Sequence, residues 1–420
     1  MAERRILCHM APGRHPLLLR AVFAALLAGA VPCAAQDAAP PPQDDWFRDH
    51  VRLSGEATAS MSTKSAEEEG WFNYSDYEYS TVRSLRLSLV GEVTLGQRLA
   101  VITEIRTLQF DVPEAYALYV RIRPWLSHAL DIHAGRIPPT FGAFPRRLYA
   151  ADNPLIGMPL AFQYLTSNRA DALPATADEL ARMRGRGWLT NYTVGDTSAA
   201  PGLPVANALR WDTGVQVRWQ HDPVTMYGAV TQGTIGDPRL SDDNGGPQLA
   251  ARVVFTPHPV LAIGGSVAAG PYLARSLTEE LPGPAGLRSH RQEAYGADVE
   301  LSRDRWLVRS ELVWNRWGQP AYEADPKRDL DVMAAMAEAR YKLWPGLYVA
   351  GRVDHLGFSR IQTDTVGVVT WDANVTRLEF GGGWSVHRHV LLKAVWQRNR
   401  RDGGRPRGSD LGAIQVAAWF

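Results

Sequence analysis

From Val51 to the last residue the chain repeats one pattern: short segments in which apolar and polar residues alternate at every second position, separated by turn-forming residues. In Val51–Ser62, the residues Val51, Leu53, Gly55, Ala57, Ala59 and Met61 alternate with Arg52, Ser54, Glu56, Thr58 and Ser60. A period of two sends successive side chains to opposite faces of a strand, so this pattern predicts a ribbon with one oily and one polar face. Sixteen such segments are predicted: Val51–Ser62, Thr81–Val93, Arg98–Leu108, Ala115–Arg123, Ala129–Gly135, Leu209–Trp219, Val224–Thr231, Gln248–Phe255, Val260–Ala269, Ala294–Ser302, Trp306–Asn315, Val332–Leu343, Leu347–His355, Asn374–Val386, Val390–Gln397 and Asp410–Phe420. After Gln36 no run of eighteen apolar residues occurs, which excludes a spanning helix. A chain with these faces enters lipid only as a closed barrel, the one sheet architecture that leaves no backbone group unpaired.

The connections alternate in length. Every second one is short: Leu95-Gly96-Gln97, Pro124–Ser127, His221–Pro223, Pro257–Pro259, Arg303–Arg305, Trp344–Gly346 and His387–His389. The others are mostly longer and rich in Gly, Pro, Asp and Asn. Seven short turns, eight loops and an even strand number are the plan of an up-and-down antiparallel barrel with short periplasmic turns and long extracellular loops. No sequence period of a propeller or solenoid is visible.

Large aromatics stand near segment ends on the apolar face, where an interfacial girdle belongs: Trp211, Trp219, Trp306, Trp314, Trp384, Trp396 and Phe420. Charges keep to the other face. Each Arg or Lys facing lipid at mid-membrane would cost roughly 2–4 kcal/mol, so that segregation is demanded. The inward face then carries Arg86, Arg106, Arg121, Arg218, Arg309, Arg340, Arg352, Arg377 and Lys393 beside Glu104, Glu311, Glu338 and Glu379. Further members are Arg210, Arg252, Lys342, Glu92, Asp131, Asp212, Asp298, Glu300 and Asp354. Such a wall reads either as a water-filled channel with a transverse field or as ion pairs that satisfy a polar interior.

The longest connection, 136–208, follows the fifth strand, and Pro138 and Pro139 end that strand. Thr176-Ala177-Asp178-Glu179 is a capping box predicting a short helix through Arg184. A connection this long is normally functional or disordered.

The ending on Trp419-Phe420 resembles the closing strand of bacterial outer-membrane barrels, which the barrel-assembly machinery reads. The whole plan resembles the bacterial porins, and Gly135–Gly142 (GRIPPTFG) is similar to the strand-exit segment of the phosphate-selective porin family. That resemblance implies sixteen strands, a homotrimer, and passage of small hydrophilic solutes or anions along an Arg- and Lys-lined path. It also implies a third loop folded into the lumen, with Arg146, Arg147 and Arg169 at a constriction. Acidic residues nearly balance basic ones here, a departure that counts against phosphate selectivity.

Residues 1–35 are predicted to be a secretory signal peptide: Arg4, Arg5, Arg14 and Arg20 flank an apolar run from Ala21 to Val31, followed by Cys33-Ala34-Ala35. Met10 serves equally well as a start. Residues 36–49, with Pro40, Pro41 and Pro42, are expected to form a periplasmic leader, and 50–420 the barrel. Both cysteines, Cys8 and Cys33, fall before the leader, so no disulfide or thiol chemistry is expected. Lys plus Arg number 45 and Asp plus Glu 44, a balance without a nucleic-acid surface. No metal site and no cofactor are expected; His387-x-His389 lacks further ligands, and no Gly-x-Ser-x-Gly accompanies the histidines. The expected function is an outer-membrane porin, not an enzyme, in contact with outer-membrane lipids. Rival readings are a non-conducting barrel acting as a sheath or docking partner, and a barrel hydrolase.

Overall fold

A computed structural model describes residues 46–63, 85–108, 113–208, 210–280, 290–320, 328–404 and 407–420. The chain divides into two units, Met1–Trp46 and Phe47–Phe420, and the second carries the strands. The expected signal peptide and nearly all of the expected leader lie outside the described residues. Among these residues no helix is long and apolar enough to cross a membrane, which says nothing about a barrel.

In chain order the strands are β1 (Val51–Ser62), β2 (Arg86–Leu95), β3 (Leu99–Leu108), β4 (Glu114–Ile122), β5 (Ala129–Ile137), β6 (Ala172–Leu173), β7 (Val194–Gly195), β8 (Asp212–His221), β9 (Val224–Thr231) and β10 (Gln248–His258). They continue as β11 (Leu261–Pro271), β12 (Arg291–Arg303), β13 (Trp306–Gln319), β14 (Arg328–Trp344), β15 (Leu347–Phe358), β16 (Arg360–Thr363), β17 (Gly367–Thr370), β18 (Val375–His387), β19 (Val390–Arg401) and β20 (Gly408–Trp419). Omitting the small hairpins β6–β7 and β16–β17, sixteen strands close into one barrel in sequence order, each antiparallel to its neighbours. These are the sixteen expected segments, several extended at their loop-side ends.

Closure joins β20 to β1, with Glu56 opposite Trp419 and Ser60 opposite Gln415. The backbone amide of Phe420 donates to the Gly55 carbonyl at 3.1 Å. The Phe420 ring lies across Gly55, where an added Cβ would stand 2.7 Å from the ring and push it aside.

The outer face carries the apolar set. Leu53, Leu118, Leu249, Leu312, Leu378 and Ile414 are all exposed there. Trp306, Trp384 and Phe420 are exposed near strand ends, Trp396 is exposed at mid-strand because β19 runs on to Arg401, and Trp314 packs on Tyr295 with centroids 5.4 Å apart. Two aromatics depart from the expected arrangement. Tyr116, in phase by alternation with the apolar Leu118, Val120 and Ile122 of its segment, is turned inward because the β3–β4 register slips between Glu104 and Ile105, leaving Tyr116 as the extra residue of a bulge. Trp211, expected in the girdle, precedes β8 and packs against Tyr116 at 5.2 Å, beside the interior cluster.

Candidate functional site in the barrel interior

Past β5, Pro138 and Pro139 carry no amide hydrogen to continue the ladder, and residues 138–208 fold into the barrel. The wall grips this segment mainly by its backbone. Glu311 of β13 accepts the amides of Ala143 at 2.8 Å and Phe144 at 3.2 Å. Glu104 of β3 accepts from the Tyr149 hydroxyl at 2.6 Å, and Glu56 of β1 from the Ala150 amide at 3.1 Å. Lys393 donates to the carbonyls of Asn153 at 2.6 Å and Leu155 at 3.2 Å. Glu379 accepts the Gly157 amide at 2.9 Å, while Arg352 donates to the Gly157 carbonyl at 2.5 Å. Arg377 donates to the Met158 carbonyl at 2.8 Å.

Six expected lumen residues, Glu104, Glu311, Arg352, Arg377, Glu379 and Lys393, therefore act as tethers. Buried charges on this wall are satisfied by peptide groups, which offsets their desolvation.

Beyond Met158 the segment builds a core of its own inside the loop-side half of the barrel. Its element α2 (Leu160–Gln163) follows α1 (Trp46–His50), and α3 (Ala177–Arg182) is capped as expected, Thr176 accepting the Glu179 amide at 3.2 Å. This helix ends at Arg182, two residues short of the expected Arg184. Leu160, Phe162, Tyr164, Leu180 and Val205 share one buried cluster with inward-facing Val313, Trp317, Val332 and Leu356 and with Trp371, which follows β17. The loop-side half of the interior is thus largely apolar, with a few buried charges such as Arg169, Asp372 and Arg377 set into it.

Two close approaches hold that core together. An added Cβ at Gly187 would stand 1.9 Å from the Leu165 carbonyl oxygen, and at Gly202 the same distance from that of Thr166. Arg169, expected at a constriction, is instead buried here, donating to Asp171 at 2.8 Å and to the carbonyls of Thr190 at 3.2 Å and Ser198 at 2.6 Å. It staples three turns of the segment together and faces no open space. Asp372 accepts the amides of Ser167 and Gly185, each at 2.7 Å, and burial still pushes its carboxyl above the usual range.

Elsewhere on the wall most charges pair across strands. Arg252 meets Asp298 at 2.6 Å, Arg121 meets Glu92 at 2.7 Å, and Arg218 reaches Asp131 at 3.5 Å. Arg309 is 3.0 Å from Glu300 and 3.6 Å from Glu338, which is also 3.3 Å from Arg352. Arg106 contacts Glu104 at 2.5 Å and lies 3.3 Å from the centroid of Tyr116. Arg86 lines a cavity of about 50 Å³ with Thr58, Ser60, Lys393 and Gln415.

Arg147 and Arg146 project from the segment into this zone. Arg147 pairs with Glu300 at 2.5 Å. Arg146 is different: its guanidinium sits 4.0 Å from the Tyr227 ring centroid, and among the described residues it forms no ion pair. Burial holds its pKa below the ordinary guanidinium value; Tyr227 opposes that shift, and the cations Arg252 and Arg218 add to it. Arg340 also leans on an aromatic, Tyr348, at 5.7 Å. Sequence reasoning missed Tyr116, Tyr227 and Tyr348, because a tyrosine on a strand carries no sign of which cation it will face.

These features define a closed sixteen-stranded barrel with a long segment folded inside it. No protein family and no curated protein matches the chain. Solved structures do match its fold. An anion-selective porin from Comamonas acidovorans has 11% identity and a TM-score of 0.54, covering 88% of this chain and 99% of its own. The outer membrane channel DcaP of Acinetobacter baumannii has 12% identity and a TM-score of 0.54, covering 88% and 97%. The trimer form of OmpT, an outer membrane protein of Vibrio cholerae, has 10% identity and a TM-score of 0.51, covering 88% and 99%.

Proposed function

We propose that this chain is a porin-type channel of the bacterial outer membrane, passing small hydrophilic solutes with a preference for anions. Support for the location is the apolar outer face with exposed tryptophans near strand ends, which water would not tolerate and lipid requires. Residues 1–35 would export the chain, 36–49 would remain a periplasmic leader, and the ending at Phe420 would serve the assembly machinery. The trimer form of a structural neighbour supports a homotrimer.

The observation that carries the anion preference is Arg146, a half-buried cation paired with an aromatic ring and flanked by Arg218 and Arg252, whose own charges are neutralised. A guanidinium without a carboxylate is a standing attraction for a passing anion. The reversal potential in a salt gradient tests it. Wild type should favour anions, and Arg146→Ala with Arg147→Ala should move the potential toward zero; an unmoved potential removes both residues from the selective site.

The apolar core in the loop-side half favours a second reading, a barrel closed at rest that serves as a sheath or docking partner. Purified protein that gives no conductance steps in planar bilayers would support it. Under neither reading is the chain an enzyme, and hydrolysis of an ester or lipid abolished by changing one serine would overturn that.

A further inference from the structure

The outer wall carries charges on the loop side of its aromatic residues, and their balance varies around the barrel. On β13 and β14, outward Arg316 is neutralised by Asp331 at 2.7 Å and Asp329 at 3.5 Å. Outward Arg136 of β5 is committed to backbone, donating to the Trp211 carbonyl at 3.1 Å and also to that of Ala115.

On β18 and β19 the balance is weaker: among the described residues two outward arginines share a single nearby carboxylate, Asp410 of β20. The register sets His355 beside Thr376 and Thr376 beside Arg400 in one outward row, with Leu378 and Arg398 in the next row toward the barrel middle. Arg398 and Arg400 are exposed, whereas Gln397, Asn399 and Arg401 between and beside them are buried in the interior. Arg398 has one carboxylate near it, Asp410 at 3.8 Å, with both side chains open to the outside. Among the described residues Arg400 has no ion-pair partner. His355 keeps one ring nitrogen on the Thr376 hydroxyl at 2.8 Å, leaving the other edge outward. One row further in, Phe380 and Trp396 face each other across the strands, 60% and 45% exposed, with Ile414 beyond them.

We propose that this patch binds the phosphorylated headgroup of a lipid in the leaflet on the loop side. The inference rests on the outer-membrane reading. Two guanidiniums two residues apart on one strand lie about 7 Å from each other, a spacing that lets both forks reach one phosphate or one each of two. The imidazole stands two strands away, roughly 10 Å across. Acyl chains of the same molecule would run down over Phe380, Trp396 and Ile414. A free anion has no use for that apolar floor, and a lipid without phosphate has none for the arginines.

Native mass spectrometry of the detergent-purified protein tests the site, with three probes: hexa-acylated diphosphoryl lipid A, the same lipid without phosphates, and inorganic phosphate. Wild type should retain the diphosphoryl lipid at least tenfold better than the dephosphorylated one, and millimolar phosphate should not displace it. Arg398→Gln with Arg400→Gln should lose at least tenfold, Arg398→Lys with Arg400→Lys less, and Asp410→Asn should gain. Equal retention by wild type and the double Gln variant, equal retention of the two lipids, or displacement by phosphate overturns the proposal. Should the double Gln variant not fold, Asp410→Asn decides, and no gain overturns it. Conductance of the same samples separates the two readings: silent wild type that binds the lipid defeats the channel and leaves this site, and conducting wild type that does not bind defeats the site alone.

Discussion

Replacing Glu311 by Gln should loosen the inward segment at its first anchor. The two carboxylate oxygens of Glu311 each accept a backbone amide, from Ala143 at 2.8 Å and Phe144 at 3.2 Å. Gln keeps one acceptor and turns an NH2 group toward the other amide, so one charge-assisted bond is lost and two donors confront each other. A hydrogen bond to a charged group is worth about 1.5–3 kcal/mol, and a buried amide left unpaired costs a similar amount. Taking about 2–3 kcal/mol, at 1.36 kcal/mol per decade, the released population of this stretch should rise about 30- to 150-fold. Hydrogen exchange at the Ala143 and Phe144 amides reads that population directly, and single-channel current noise reads its effect on flow. Glu300→Gln is the control, since Glu300 contacts the Arg147 side chain and leaves those amides alone. Exchange at Ala143 and Phe144 within twofold of wild type in Glu311→Gln would refute the tether.

Two further outcomes concern the loop-side core. Trp371 is fully buried, edge-on to Trp317 and Phe358 with centroids at 6.0 and 4.9 Å, and its indole donates to the Asp331 carbonyl at 2.8 Å. Trp371→Ala should cost about 3–5 kcal/mol and speed tryptic cleavage after exposed Arg360 at least tenfold; unchanged cleavage would show that the core does not hold the β16–β17 hairpin. Asp178 in α3 accepts from the Thr365 hydroxyl and from the amides of Asp364 and Thr365, and these bonds hold its carboxyl below the usual range. A depressed carboxylate contributes docking that is complete above the ordinary value of about 4 and is lost as pH falls through the lower folded value. Exchange at the Asp364 and Thr365 amides should therefore accelerate, beyond intrinsic rates, between pH 5 and pH 2, and Asp178→Asn should abolish that dependence; wild type without it would defeat the argument.

The barrel was legible because alternation is a local property. Leu85, Leu87 and Leu89 against Arg86 and Ser88 need no knowledge of distant chain to declare two faces. Tyr116 was misplaced because one bulged residue shifts the phase, and nothing in Glu114–Leu118 marks the extra position. The apolar loop-side interior escaped notice for a different reason. In Val332–Ala337 both faces are apolar, so the period vanishes where a second core lies against the strand. Arg169 illustrates the limit for single charges. A lone arginine in a long connection looks the same whether it faces a solute or, as here, three carbonyl and carboxylate oxygens of its own segment.

The grip on the stretch from Ala143 to Met158 falls mostly on peptide groups: amides of Ala143, Phe144, Ala150 and Gly157, carbonyls of Asn153, Leu155, Gly157 and Met158. Every residue offers a peptide carbonyl and every residue but proline an amide hydrogen, so the course of this stretch is written into the staves of the cask and not into its own spelling. Residues such as Arg146 and Arg147, whose side chains take no part in that grip, can then be exchanged one by one while the thread keeps its place.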